Sequence, residues 1–146
     1  MVTKKMIDDF LSMKKLALIR KSPKTKIAGV DMLKELESKG YSMSLAHLEA
    51  NGDDAKKLSE LTGPVEGVII SVPPAQTLQA LQEVVNAKIT NVWLQKDSES
   101  KEAIQFCEDN KLNAIYGECV LMFAEPVKSI HAFHRWLWKI FGKLPK

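Results

Sequence analysis

The sequence predicts an α/β protein built on one doubly wound, five-stranded parallel sheet, three layers deep, with an added C-terminal helix. Two observations carry that reading. The hydrophobic period switches repeatedly between short unbroken apolar runs and helical spacing, and Gly and Pro punctuate the switches at Gly40, Gly63-Pro64 and Pro73-Pro74. A third observation bounds it: 146 residues, 45% hydrophobic and 27% charged, suit a single domain over residues 1–146 and leave no room for a second core.

Residues 1–14 read as a short amphipathic helix with Met6, Phe10 and Met13 on one side. Lys15 to Ile19 is a buried-type strand that runs into Arg20-Lys21-Ser22-Pro23. A helix starts near Ile27, turns Met32, Leu33 and Leu36 inward, and stops at Gly40, the residue best able to adopt a left-handed terminus. Tyr41 to Leu45 forms the second strand. Asn51 to Asp54 makes a turn and cap for a short helix carrying Ala55, Leu58 and Leu61. Val65 to Val72 is the third strand, and Pro73-Pro74 closes it and opens a helix, where proline's missing N–H costs nothing. Leu78, Leu81 and Val85 line that helix. Asn91 to Gln95 is the fourth strand, after which Asp97 or Ser98 caps a helix with Glu99 and Glu102 in its first turns. Leu112 to Tyr116 is the fifth strand. Residues 126–146 form the helical extension, with Ile130, Phe133, Leu137 and Ile140 at helical spacing.

Right-handed crossovers make the sheet parallel, and an order of 3-2-1-4-5 places a crevice between strands one and four, at their carboxyl ends. Its walls are expected from Arg20 to Lys26 and Gln95 to Ser98, with Ser71 to Pro74 beside them. The formal charge of +3 is too mild to argue for nucleic acid, but its distribution is uneven. Six basic residues and no acid lie between Lys14 and Lys26, and five basic residues and no acid follow Glu125. The loop Arg20 to Lys26 sets cations and hydroxyls before a helix N-terminus, whose free N–H groups favour an anion such as a nucleotide phosphate. Lys14 and Lys15, at the opposite end of the strand, read as a solvated face.

Several chemistries are excluded or weakened. The sequence has no GxGxxG after the first strand, no GxxxxGK[ST] and no GxSxG, so dinucleotide, P-loop and serine-elbow readings lack their motifs. Cys107 and Cys119 lack CxxC spacing and suit the thiol state. Cys119 with His131 or His134 is the one arrangement that would suit nucleophilic catalysis, although a free Cys after a core strand ordinarily packs as a small hydrophobe. His131 and His134 share a helical face without a third metal ligand. The apolar stripe with Phe133 and Trp136 is expected to cover the sheet or join a homodimer interface. No apolar run approaches the roughly 20 residues of a membrane span, and Asp8 and Asp9 interrupt the N-terminus where a secretory signal would be apolar, so a cytoplasmic protein is expected.

The run Val92-Trp93-Leu94-Gln95, the strand ending Ser71-Val72-Pro73-Pro74, and Gly117-x-Cys119-x-x-Met122 together resemble the small single-domain CoA-binding proteins, relatives of the Rossmann-like CoA-binding domain of the succinyl-CoA synthetase alpha subunit. The resemblance covers about residues 11 to 125. It implies coenzyme A or an acyl-CoA as a non-covalent ligand, and assigns no residue to catalysis or metal binding. In the family a Gly-Ala-Ser type turn after the first strand approaches the CoA phosphates; here Arg20, Lys21 and Ser22 occupy it. Arg20 in place of glycine either blocks the pocket or supplies a side-chain contact to phosphate. The family's asparagine and proline after the second strand are absent, with His47, Leu48 and Glu49 in that region. The resemblance implies a ligand site from Arg20, Lys21, Ser22, Lys24, Thr25, Lys26, Ser71, Val72, Pro73, Pro74 and Gln95. The alternative is an interaction module whose nucleotide site has decayed.

Overall fold

The computed structural model describes residues 2–21, 28–49, 56–61, 63–118 and 120, with side chains of the second helix described from residue 33. The elements are α1 (Lys4–Leu11), β1 (Lys15–Arg20), α2 (Ala28–Ser38), β2 (Ser42–His47), a 3-10 turn (Leu58–Glu60), β3 (Gly67–Ser71), α3 (Pro74–Asn86), β4 (Asn91–Gln95), α4 (Lys101–Asp109) and β5 (Asn113–Glu118). All strand pairs are parallel, in the order β2-β1-β3-β4-β5.

That order corrects the expected 3-2-1-4-5. The strands' own composition explains why. β3 carries four consecutive buried residues, as a strand covered on both faces and paired on both edges requires. β2, with Ser42 exposed and Met43, Ser44 and Leu45 half-buried, suits an edge. β3 therefore takes the place beside β1, and the winding reverses between β1 and β3 rather than between β1 and β4.

Two apolar layers sandwich the sheet. On one face Ala17, Ile19, Val68, Ile70, Val92 and Leu94 pack with Ala80, Leu81 and Val84 of α3 and Ala103 and Cys107 of α4. On the other, Leu16, Leu18, Ile69, Trp93 and Ile115 pack with Ile7 and Phe10 of α1, Leu36 of α2 and Tyr41. Alternate residues of every strand thus serve opposite cores.

Local chemistry sets the element ends. Thr3 caps α1 by accepting the Met6 amide at 3.2 Å. Pro74 starts α3 as expected, but its buried face is Thr77, Ala80, Leu81 and Val84, so Leu78 and Val85 lie at its margins. Ser100, not Asp97 or Ser98, caps α4, accepting the Ala103 amide at 3.1 Å. Of the short helix expected before β3, the described residues 56–61 hold one 3-10 turn with Leu58 buried. Lys14 spends its charge over the Tyr41 ring, 4.4 Å from the centroid. The Asn51 to Asp54 turn and the C-terminal helix fall outside the described residues, as do Met32's side chain, Cys119, His131 and His134. No described helix is long and apolar enough to cross a membrane.

Close packing of α1 depends on a missing side chain. A Cβ at Gly67 would meet Phe10 Cε2 at 2.9 Å and Leu16 Cδ2 at 3.2 Å, and Phe10 is itself fixed edge-on against Trp93 at 5.4 Å between centroids. Gly67→Ala is expected to cost about 1–3 kcal/mol in urea denaturation, and Phe10→Leu in the same chain to recover part of it; strictly additive losses would refute the steric link.

Candidate functional site

The carboxyl edge of the sheet is where the core gives way to polar groups. On the α1/α2 face the strands present Leu16 and Leu18, then Arg20; Met43 and Leu45, then His47; Ile69, then Ser71; Trp93, then Gln95. Register sets the first three side by side, with Arg20 opposite His47 on β2 and opposite Ser71 on β3. β1 and β3 are also where the winding reverses, the place at which open α/β sheets leave a crevice.

Arg20 is the centre of this row. It is 6% exposed, and its Nη2 lies 3.3 Å from Nε2 of His47, itself 3% exposed. Arginine can only donate, so His47 accepts through Nε2 and is the neutral Nδ1–H tautomer. Burial, reinforced by the neighbouring Arg20 charge, holds the His47 pKa below the usual histidine range, which agrees with that assignment. Arg20 Nε and Nη1 and His47 Nδ1 are buried and have no hydrogen-bond partner among the described residues. No described carboxylate forms an ion pair with the guanidinium.

Backbone bonds hold the neighbouring chain against Arg20. The Leu48 amide donates to Arg20 O at 2.9 Å, the Glu49 amide to Lys21 O at 2.8 Å, and the His47 amide to Lys56 O at 2.7 Å. Glu49 turns its carboxylate toward α3, where Gln76 Nε2 donates to it at 3.5 Å.

Ser98 bonds a neighbouring loop rather than its own helix, and Thr77, which no sequence motif marks, joins it. The Ser98 hydroxyl donates to Val72 O at 2.8 Å and accepts the Val72 amide at 3.1 Å. Thr77 Oγ1 donates to Ser98 O. The left-handed turn at Asp97, φ 75°, brings Ser98 back to bond Gln95 O at 2.8 Å. This staple ties the loop after β3 to the loop after β4, and it uses the Val72 amide. Val72 packs in the α3/α4 core, whereas Pro73 and Pro74 are exposed beside it. Gln95 reaches the same edge, with Oε1 accepting the Val120 amide at 3.0 Å.

Of the expected site residues, Arg20, Ser71 and Gln95 thus share one edge of one face, and Lys21 follows directly. Ser22, Pro23, Lys24, Thr25 and Lys26 lie outside the described residues. A cleft of about 310 Å³ lined by Lys5, Met6, Asp9, Phe10, Asn91, Asn113 and Ile115 opens at the opposite, amino-terminal edge, and carries no comparable row of buried donors.

Glu118 closes the far end of the carboxyl edge, beside Gln95 in the register. Its backbone oxygen accepts the Trp93 indole N–H at 2.9 Å, while Oε2 is buried without a partner among the described residues. Burial pushes the carboxyl pKa up to about 7 against the opposing pull of Lys96.

Two outcomes are expected of this edge. Ser98→Ala leaves both Val72 backbone groups unpaired and should lower unfolding free energy by about 1–3 kcal/mol in urea titration; a loss below about 0.5 kcal/mol would show that the staple carries no stability. Glu118 binds its proton more tightly folded than unfolded, so its contribution is full below the ordinary glutamate pKa and is lost as pH rises toward 7. Stability measured across pH 4.5 to 7 should therefore decline more steeply in the parent chain than in Glu118→Gln.

The chain matches the family model described as a CoA binding domain over residues 14–125. No curated protein matches it. Among solved structures it is similar to a conserved hypothetical protein from Pyrococcus furiosus, at 28% identity and TM-score 0.63, covering 74% of this chain and 97% of that one. A hypothetical protein from Pyrococcus horikoshii matches at 20% identity and TM-score 0.71, over 86% and 92% of the two chains. A Thermus thermophilus protein shares the fold at 16% identity and TM-score 0.68, over 91% and 98%.

Proposed function

The chain belongs to the CoA binding domain family, and from that premise we propose that it holds coenzyme A or an acyl-CoA at the carboxyl edge of its sheet, without catalysing a reaction of its own. The observation that carries this reading is the buried Arg20 guanidinium, two of whose nitrogens have no partner among the described residues. A cation removed from water is costly unless an anion compensates it, and CoA brings phosphate charge in quantity.

Arg20 and Lys21 supply positive charge in this scheme. Ser22, Lys24, Thr25 and Lys26 offer hydroxyls and ammonium groups to phosphate before the N-terminus of α2. Ser71, Val72, Pro73, Pro74 and Gln95 shape the adjoining wall, with the exposed prolines giving an apolar edge for adenine or pantetheine. Bound CoA contributes a thiol on a long flexible arm; the protein's residues bind and orient it. Keeping Arg20 in place of the family glycine substitutes a side-chain donor for close backbone approach.

The test is a thermal-shift or calorimetric titration of the full chain with CoA, with inorganic pyrophosphate as the anion control. Saturation at 100 times Kd should add about 2.7 kcal/mol of stability. Lys24→Ala with Lys26→Ala should weaken binding, and more so at low salt. Equal shifts from pyrophosphate and CoA, or no shift from either, would defeat the proposal and leave the reading of an interaction module with a decayed site.

A further inference from the structure

We infer that Arg20 and a proton compete for one nitrogen, Nε2 of His47, so that an anion drawing the guanidinium away lets the ring take up a proton and ties ligand binding at this edge to pH. The inference rests on the CoA reading above and adds a means of regulation to that same site.

The competition follows from the one contact that holds the pair. Arg20 Nη2 lies 3.3 Å from His47 Nε2. A guanidinium has no lone pair to offer, so Nε2 accepts and the ring's hydrogen sits on Nδ1. A proton arriving at this neutral ring can bind only at Nε2, the nitrogen that Arg20 already occupies, and an N–H there would point at another N–H. Protonation of His47 and its bond from Arg20 therefore exclude each other.

Burial gives the competition its force. His47 is 3% exposed and Arg20 6%, so neither can trade its partner for bulk water. The backbones cannot part, because β1 and β2 pair in register and the Leu48 amide donates to Arg20 O at 2.9 Å. The guanidinium is freer: its Nε and Nη1 are buried without a partner among the described residues, and the hydrogen bond described for the side chain is the one to His47. An anion is a stronger acceptor for it than a neutral ring.

The other charges around the ring are engaged elsewhere or lie outward. Beyond β2, Glu49 accepts from Gln76 of α3, and in the 3-10 turn Glu60 accepts the Lys57 amide at 3.2 Å. Lys56, whose carbonyl accepts the His47 amide, is exposed. On α2 Glu35 lies 3.7 Å from Lys39, and on β3 the residue in register with Arg20 is the uncharged Ser71. Burial first, and the Arg20 charge second, hold the ring below the ordinary histidine range in the free chain. A bound anion offsets the second cause, so the ring keeps its proton to higher pH in the complex. Linkage then fixes the sign: the contribution of His47 strengthens binding as pH falls between the two ring pKa values, and is constant outside them.

Calorimetric titration of the full chain with CoA at about pH 7.5 and about pH 5.5, the range over which histidine changes charge, tests this beside His47→Gln. That variant keeps an acceptor for Arg20 but does not titrate, and it subtracts the protonation of the ligand's own phosphate. On lowering the pH, the affinity of the parent chain relative to the variant should rise by about fivefold or more, the lower end of ordinary coupling between sites. A smaller relative rise overturns the inference. Ring resonances of His47, with His131 and His134 replaced by Gln for assignment, read the same coupling without the His47 variant. The ring pKa should be higher with saturating CoA than without it, and an equal or lower value overturns the inference. If CoA binds the parent chain at neither pH, the CoA reading itself falls.

Discussion

The carboxyl edge of this protein is organised around one buried positive charge. Arg20 extends a strand whose preceding four residues are wholly apolar and buried, so its guanidinium emerges from the core rather than from the surface. Desolvation would ordinarily make such a charge costly, and among the described residues no carboxylate offsets it. What it has is a neutral imidazole acting as acceptor, which fixes the tautomer of His47 and turns its Nδ1–H outward from the pair. The site's donors thus follow from strand register, since Arg20 and His47 are partners only because β1 and β2 pair in parallel without a shift.

Everything beneath that edge serves to hold the register. Both faces of β1, β3 and β4 are covered, and a slip of one residue would exchange the two cores and send Arg20 toward α3 and α4. Gly67 and the Phe10–Trp93 contact seat α1 on one face. On the edge itself, Ser98 joins two adjacent strand-to-helix loops through both backbone groups of Val72. Binding sites that must meet a flexible ligand are served by such rigid borders, because ordering a loop at the moment of binding subtracts from affinity.

The sequence made the layers legible and left the strand order ambiguous. Unbroken runs such as Val68-Ile69-Ile70 declare a strand buried on both faces, and Pro73-Pro74 marks a helix start, so the parallel α/β class follows from local physics. Right-handed crossovers permit more than one order, however, and the deciding contrast between a polar β2 and an apolar β3 is small. At the site, Arg20 stood out because a large cation occupies a position suited to glycine. His47 appeared only as a departure from the family's residues, since its importance comes from a partner 27 positions away. Ser98 was legible as a capping residue type, but whether it bonds its own helix or a neighbouring loop is decided by the turn at Asp97, which spacing does not reveal. Glu118 gave no signal, because its raised pKa arises from burial at a strand end rather than from any motif.

Replacing a glycine-type backbone contact by Arg20 changes the physics of recognition as well as its geometry. A backbone amide is neutral, costs little to bury and favours any close anion; a guanidinium carries a full charge and a fixed fork of donors. The first rewards proximity, the second rewards an anion of matching charge and shape. Because Arg20 is withdrawn from solvent, salt screens its attraction for an anion less than it would screen that of an exposed ammonium group.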